Sequence, residues 1–404
     1  MARVLLLTSS ISAAHINPFL GIAERLIADG HHVGWLSCDR AAGPFEPLVK
    51  SLDVEVIPTP PVDMEPRPPN FPFSYAEIDD WIALRLKDCA ALPRRVDALR
   101  PAIRAWRPDA IGVNSLIHSA VIAAALEEVR SVSISLGLLA VTIPNYDGDV
   151  WYRSWDALTP ATIAMFDRFG VPATHRGFSA LSTSSINLVL TTEALVGHDA
   201  QLPPNTMLVG PAIPTKNAWG GDFPWDRLAV DRPIVYVALG SLLSMPTLCE
   251  IVASAVAPLG AQLVVSGDPA VLSQLPGDVI AAARVPQLEL LPRVAACVTP
   301  GGATSVMEMM FHGVPALMVP YGYDHRFNAH IVCRAGAGIE VSGDDITVDR
   351  CRTMIEALLD ANGRYRQCAR RIQRSFQQRD GAWHVAKSLA AAAEASRASA
   401  RLGS

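Results

Sequence analysis

The chain has 404 residues, half of them hydrophobic and 18% charged, with 34 Lys and Arg against 39 Asp and Glu for a formal net charge of −5 at pH 7. That length predicts two domains, each able to bury its own core, and the charge balance excludes the basic surface on which nucleic-acid binding depends. The seven cysteines, at 38, 89, 249, 297, 333, 351 and 368, are scattered, odd in number and without a CxxC pair, which argues for reduced thiols in a cytoplasmic protein and against a disulfide framework or metal site.

Val4 to Thr8 reads as the first buried strand. Its apolar run has the outline of a signal peptide but stops at Thr8-Ser9-Ser10, too short for an h-region, and no later run of 18 apolar residues predicts a membrane span. The polar turn Ser9 to His15 leads into a helix from Pro18 to Leu26, Asp29-Gly30 closes it, and a strand from Val33 to Ser37 completes a βαβ unit. Its first βα turn lies at the carboxyl end of a strand, where open α/β sheets bind ligands. A His in that turn, His15, is a candidate general base, because its ordinary pKa lies close to neutrality.

Residues 58 to 72 carry seven prolines and predict a long loop. Helices follow from Tyr75 to about Leu92 and from Arg94 to Trp106, with a break expected near Pro101. The strand Ala110 to Val113 ends at Asn114, and residues 130 to 136 alternate as another strand would. Trp151, Tyr152, Trp155, Phe166 and Phe169 then form an aromatic group that suits either an apolar ligand or plain packing. Ile186 to Thr192 is the last strand of the first half, and the Pro- and Gly-rich stretch Ala212 to Pro224 is the best linker.

The second half opens with Ile234 to Ser241, a strand ending in Gly-Ser, followed by a helix from Thr247 to Pro258 and a strand from Gln262 to Ser266. From Arg284 to Ala329 the chain packs two short strands, a Gly-Gly turn and a polar cluster into 46 residues. Ala295 to Thr299 is a strand that Pro300-Gly301-Gly302 ends abruptly. A helix runs from Thr304 to His312, Gly313 stops it, and Val314 to Pro320 is the next strand. Glycines at such a turn let a ligand approach the backbone, and the free N–H groups of the helix attract an anion such as a diphosphate. The hydroxyls of Thr304 and Ser305 can reach phosphate oxygens, and Glu308, one turn deeper, can reach ribose hydroxyls. After Gly338 the chain is mostly helical, ending in a helix from Trp383 to Ala398.

The ordered run V-P-Q-x3-L, T-P-G-G-x-x-S-x-x-E, G-V-P-x-L-x-V-P and D-H-x-x-N-A resembles the donor-nucleotide signature of the UDP-glycosyltransferase family, and H-x-N-P with D-G-H-x-V resembles that family's amino-terminal motif. The resemblance implies an α/β GT-B architecture of two facing Rossmann-like domains with parallel sheets: an acceptor-binding domain over 1–211, a linker over 212–226, a nucleotide-sugar-binding domain over 227–380 and a terminal helix over 381–404 crossing back. It implies an inverting, metal-independent hexosyltransferase with no resident cofactor, taking a UDP- or dTDP-sugar to a small apolar acceptor. His15 would be the base that deprotonates the acceptor. Ser241, Val285, Gln287, Gly301, Gly302, Thr304, Ser305, Glu308, Asp324 and His325 would form the donor site. A non-catalytic relative that only binds a ligand and a GT-B sugar-nucleotide epimerase stay open as alternatives, as does a homodimer.

The chain departs from the family pattern at four places. Asn114 stands where members carry an aspartate that orients the catalytic His. An amide can accept a hydrogen bond from Nδ1–H but lacks the charge that raises the base's pKa, so either the acceptor is already acidic or His118 or Asp109 assists. Pro300-Gly301-Gly302 stands where the family has His-Gly-Gly or His-Cys-Gly, Thr304 replaces a common Asn, and Asp324-His325 replaces a sugar-reading Asp-Gln pair.

Overall fold

The computed structural model describes residues 1–9, 13–37, 46–58, 73–146, 150–176, 179–182, 186–215, 222–240, 243–267, 272 and 274–402. The predicted proline-rich loop over 58–72, apart from Pro58, and Ser241 lie outside them. The chain separates into two compact units: Met1–Glu193 with Asp199–Thr215 and Arg379–Ser404, and Ala194–His198 with Lys216–Gln378.

In the first unit, strands β1 (Arg3–Thr8), β2 (His32–Ser37), β3 (Glu55–Ile57), β4 (Ala110–Asn114) and β5 (Ser131–Ser135) are followed by a two-stranded antiparallel pair, β6 (Ala173–Arg176) and β7 (Ser179–Ser182), and then by β8 (Ile186–Val189) and β9 (Thr206–Leu208). Seven of these form one parallel sheet in the order β3-β2-β1-β4-β5-β8-β9. Helices cover both faces, so the central strands are continuously apolar, as buried parallel strands must be. Leu5, Leu7, Ile111 and Val113 pack with Val96, Leu99 and Ile103 in one core cluster. At about 25 cal/mol per Å² of apolar surface removed from water, each such side chain contributes roughly 1.5–3 kcal/mol.

The helix facing those residues is a single element, Ile78–Trp106, with Pro93 and Pro101 inside it. The break expected near Pro101 is absent. Each proline deletes one backbone donor, and the packing of this helix on helices His118–Leu126 and Val150–Arg168 holds the rest of the ladder together. Trp155 of the latter lies edge-on to Trp81 with ring centroids 5.1 Å apart, and Phe166 is buried against His118, so these two members of the aromatic group serve packing. The last helix, Gly381–Leu402, packs on helix Ala13–Ala28 and on β1, β4 and β5.

The second unit holds β10 (Ile234–Val237), β11 (Gln262–Ser266), β12 (Val279–Ala282), β13 (Ala296–Thr299), β14 (Ala316–Met318) and β15 (Gly338–Glu340), all parallel in the order β12-β11-β10-β13-β14-β15. Val235, Val237, Val265, Val298 and Leu317 form its core with Val252, Ile355 and Leu358. In each sheet the strand order reverses once, between β1 and β4 and between β10 and β13. These are the topological switch points outside which open α/β sheets bind ligands.

Candidate active site

At the first switch point, β1 ends at Thr8 and β4 at Asn114, and both residues are fully buried. The helix after β1 begins at Ala13, so His15 sits in its first turn instead of in the preceding loop, and the ring is half-buried. Nδ1 of His15 lies 2.9 Å from Nδ2 of Asn114. Thr8, which sequence reasoning passed over, gives its hydroxyl proton to the His15 carbonyl at 3.0 Å and faces Asn114 Nδ2 at 3.4 Å. Asn114 Oδ1 accepts the Leu116 N–H at 3.1 Å.

The orientation of the amide is thus opposite to the one expected, in which it accepted a proton from His15. Leu116 N–H can only donate, so it claims Oδ1 and turns Nδ2 toward the ring. Nor does Asp109 assist. It sits at the other end of β4, where its Oδ2 accepts the Arg3 N–H at 2.8 Å, roughly 16 Å along the strand from Asn114. The His118 ring packs edge-on to Phe166 with centroids 5.9 Å apart.

At the second switch point, β13 ends at Thr299, whose hydroxyl donates to the Ala238 carbonyl at 2.9 Å and accepts Gly301 N–H at 3.2 Å. That bond ties the end of β10 to the turn after β13. Gly301 has φ +100°, a region closed to ordinary side chains, and a Cβ there would lie 2.9 Å from Met318 Cε. A Cβ on Gly302 would meet nothing within 4 Å among the described residues. Gly302 opens helix Ala303–Phe311 with no side-chain cap, which leaves its first N–H groups to water or a ligand. Thr304 is buried and Ser305 half-buried on that first turn.

One turn deeper, Glu308 is buried, and its Oε2 accepts from Gln287 Nε2 at 2.5 Å. Gln287 opens the short helix that follows buried Val285, and its Oε1 takes the hydroxyl proton of Tyr236, on β10, at 3.2 Å. Burial pushes the Tyr236 phenol pKa well upward, so it remains a donor. The structure therefore brings Gln287 and Glu308 into direct contact, and adds Tyr236, which no local motif marks.

Asp324 and His325 open helix His325–Arg334 beside the same turn. Asn328 Nδ2 donates both to the Gly301 carbonyl and to Asp324 Oδ2, each at 2.8 Å. Burial raises the Asp324 pKa, and the Asn328 N–H opposes that shift. Burial lowers His325 to about 4, leaving the imidazole neutral, with Gly322 N–H directed at its Nδ1 at 3.4 Å. Tyr323, just before Asp324, has φ +58°, an unfavourable conformation for a side chain of its size. Among the described residues no group of three or more His, Cys, Asp or Glu could hold a metal ion, and no helix is long and apolar enough to cross a membrane.

Residues 250–391 match the family model described as Erythromycin biosynthesis protein CIII-like, C-terminal domain. The L-demethylnoviosyl transferase of Streptomyces niveus is 27% identical, over 96% of this chain and 97% of its own. The solved glycotransferase of kitacinnamycin superposes with a TM-score of 0.72 at 23% identity, over 96% of this chain and 97% of that one. Glycosyltransferase VinC, solved in complex with dTDP, superposes with a TM-score of 0.69 at 22% identity, over 97% and 99%. These likenesses bear out the resemblance to UDP-glycosyltransferases, and the fold is the GT-B fold.

Proposed function

We propose, from the premise that this chain has the GT-B glycosyltransferase fold and bears an erythromycin CIII-like C-terminal domain, that it is an inverting glycosyltransferase of natural-product type. The donor is a UDP- or dTDP-sugar and the acceptor a small apolar molecule with one nucleophilic group. The observation that carries this reading is the hydrogen bond from half-buried Gln287 to buried Glu308, which lies just over one turn inside a helix whose uncapped N-terminus opens at Gly301-Gly302.

In this reading the diphosphate takes the first N–H groups of that helix with the hydroxyls of Ser241, Thr304 and Ser305. Glu308 and Gln287 hold the ribose, Val285 lines the base, and Asp324 with His325 meets the sugar hydroxyls. The acceptor atom lies against His15 and attacks the anomeric carbon in line with the departing diphosphate. Positioning and the fixed dipoles around the leaving group supply most of the rate. Because helix N–H groups and hydroxyls meet the leaving charge, the reaction needs no metal and no resident cofactor; the nucleotide sugar is the co-substrate. Support for the donor class comes from relatives such as the L-demethylnoviosyl transferase and the dTDP-bound VinC.

The test is incubation with UDP-glucose and dTDP-glucose and a panel of aglycones, read by mass spectrometry. Acceptor plus one hexose is the expected product. Nucleotide binding without any transfer would support a ligand-binding relative instead.

A further inference from the structure

The contacts that bring Asn114 to His15 also decide which imidazole nitrogen holds the proton. Asn114 Oδ1 is committed to the Leu116 N–H at 3.1 Å, so the group 2.9 Å from His15 Nδ1 is an NH2, which can only donate. Thr8 agrees: its hydroxyl hydrogen goes to the His15 carbonyl, which leaves a lone pair facing the same NH2. Turning the amide over would set the NH2 of the fully buried Asn114 side chain against Leu116 N–H, donor against donor. Nδ1 is therefore an acceptor, and in the neutral ring the proton resides on Nε2.

This arrangement works against a general base twice. A base must begin with a lone pair on Nε2, and here that atom carries the hydrogen. It must end as imidazolium, and the Nδ1–H of that ion would meet the Asn114 NH2 head-on. A carboxylate in place of the amide would favour both states.

We propose that His15 in this chain offers Nε2–H as a hydrogen-bond donor that orients the acceptor, that Asn114 is the positioning residue that sets this tautomer, and that the acceptor is an acidic hydroxyl, of the phenol or carboxylic acid class, in preference to an aliphatic alcohol. The proposal rests on the glycosyltransferase reading above. The acceptor's O–H ionises to solvent, its oxygen forms the new bond to the anomeric carbon, and the bond from that carbon to the diphosphate breaks with its electron pair leaving on the nucleoside diphosphate.

Two measurements on the intact protein test this. In nitrogen-15 spectra of histidine-labelled protein, with His15 assigned by difference from His15→Gln, Nδ1 should report as the unprotonated nitrogen and Nε2 as the protonated one near neutral pH, and Asn114→Asp should reverse the pattern. A protonated Nδ1 in the wild type would overturn the proposal, and that spectrum decides even if Asn114→Asp does not fold. In transfer assays with UDP-glucose and dTDP-glucose, kcat/KM should rise as the pKa of para-substituted phenols falls. Cyclohexanol-type acceptors should be at least about 100-fold slower than phenols, the usual worth of a general base, and Asn114→Asp should recover at least about 10-fold on them. Equal turnover of alcohols and phenols by the wild type would overturn the acceptor assignment. Absence of transfer to any acceptor, with the tautomer as stated, would instead overturn the glycosyltransferase reading and the acceptor assignment with it.

Discussion

Asn328 holds the carbonyl of Gly301 at 2.8 Å through a side-chain nitrogen that also donates to Asp324 at 2.8 Å. A single fully buried amide thus fixes the glycine turn and Asp324, at the start of helix His325–Arg334, relative to each other. Both of its N–H donors are thereby committed, and its Oδ1 is buried with no hydrogen-bond partner among the described residues. Asn328→Ala leaves two acceptors unsatisfied and should cost about 1–3 kcal/mol of stability. Asn328→Asp should cost more, because it sets a second carboxyl beside Asp324 with no donor between them. Urea unfolding of the three proteins measures both differences, and a neutral Asn328→Ala would show that the turn holds itself.

His325 gives a pH dependence of definite sign. Its folded pKa is lowered to about 4 by burial, against about 6.5 unfolded, so between those values the unfolded chain binds more protons than the folded one. This neutral histidine therefore favours folding fully above pH 6.5, and the advantage is lost as pH falls toward 4, by an amount on the order of 3 kcal/mol. His325→Gln keeps a side chain able to accept Gly322 N–H but cannot titrate. Thermal melts from pH 7.5 to 4 should show a shallower decline for His325→Gln than for the wild type; parallel curves would mean that the imidazole is hydrated and free to charge.

The strands that flank the switch points were legible because they are short apolar runs buried on both faces and end in turn residues: Val4 to Thr8, Ala110 to Asn114, Ile234 to Val237 and Ala296 to Thr299. The edge strands Glu55–Ile57, Thr206–Leu208 and Gly338–Glu340 were not, since three residues carry no periodicity. Helix Ile78–Trp106 was read as broken because proline signals act locally while its packing is tertiary. The polar partners Thr8, Tyr236 and Thr299 were invisible for the same reason. Tyr236 and Gln287 are 51 positions apart, and Asn114 and Thr8 are 106. Sequence could show that Asn114 replaces an acid, but only the contact with Leu116 shows which way its amide faces.

Gly210 and Gly381 make a steric prediction for the closing helix. Gly210 has φ +90°, and a Cβ on Gly381 would overlap the Gly210 carbonyl, so the two backbones touch where the last helix begins. Gly381→Ala should destabilise the first unit by about 1–3 kcal/mol, the usual cost of overpacking a tight site, and Gly381→Val by more. Calorimetric melting checks this. Unchanged melting for both variants would mean that the helix start is loosely docked.

Nucleotide titration tests the proposed donor site at helix Ala303–Phe311 most directly. Pro300 has no backbone N–H to offer and no imidazole, so in the proposed donor site the diphosphate would depend on the N–H groups after Gly302 and on hydroxyls such as Ser305. A charge-assisted hydrogen bond contributes roughly 1.5–3 kcal/mol, so Ser305→Ala should weaken UDP or dTDP binding about 10- to 100-fold in isothermal calorimetry. Pro300→His should tighten it. If UDP and dTDP bind the wild type and both variants with the same affinity, the diphosphate does not sit at this helix and the donor-site assignment is wrong.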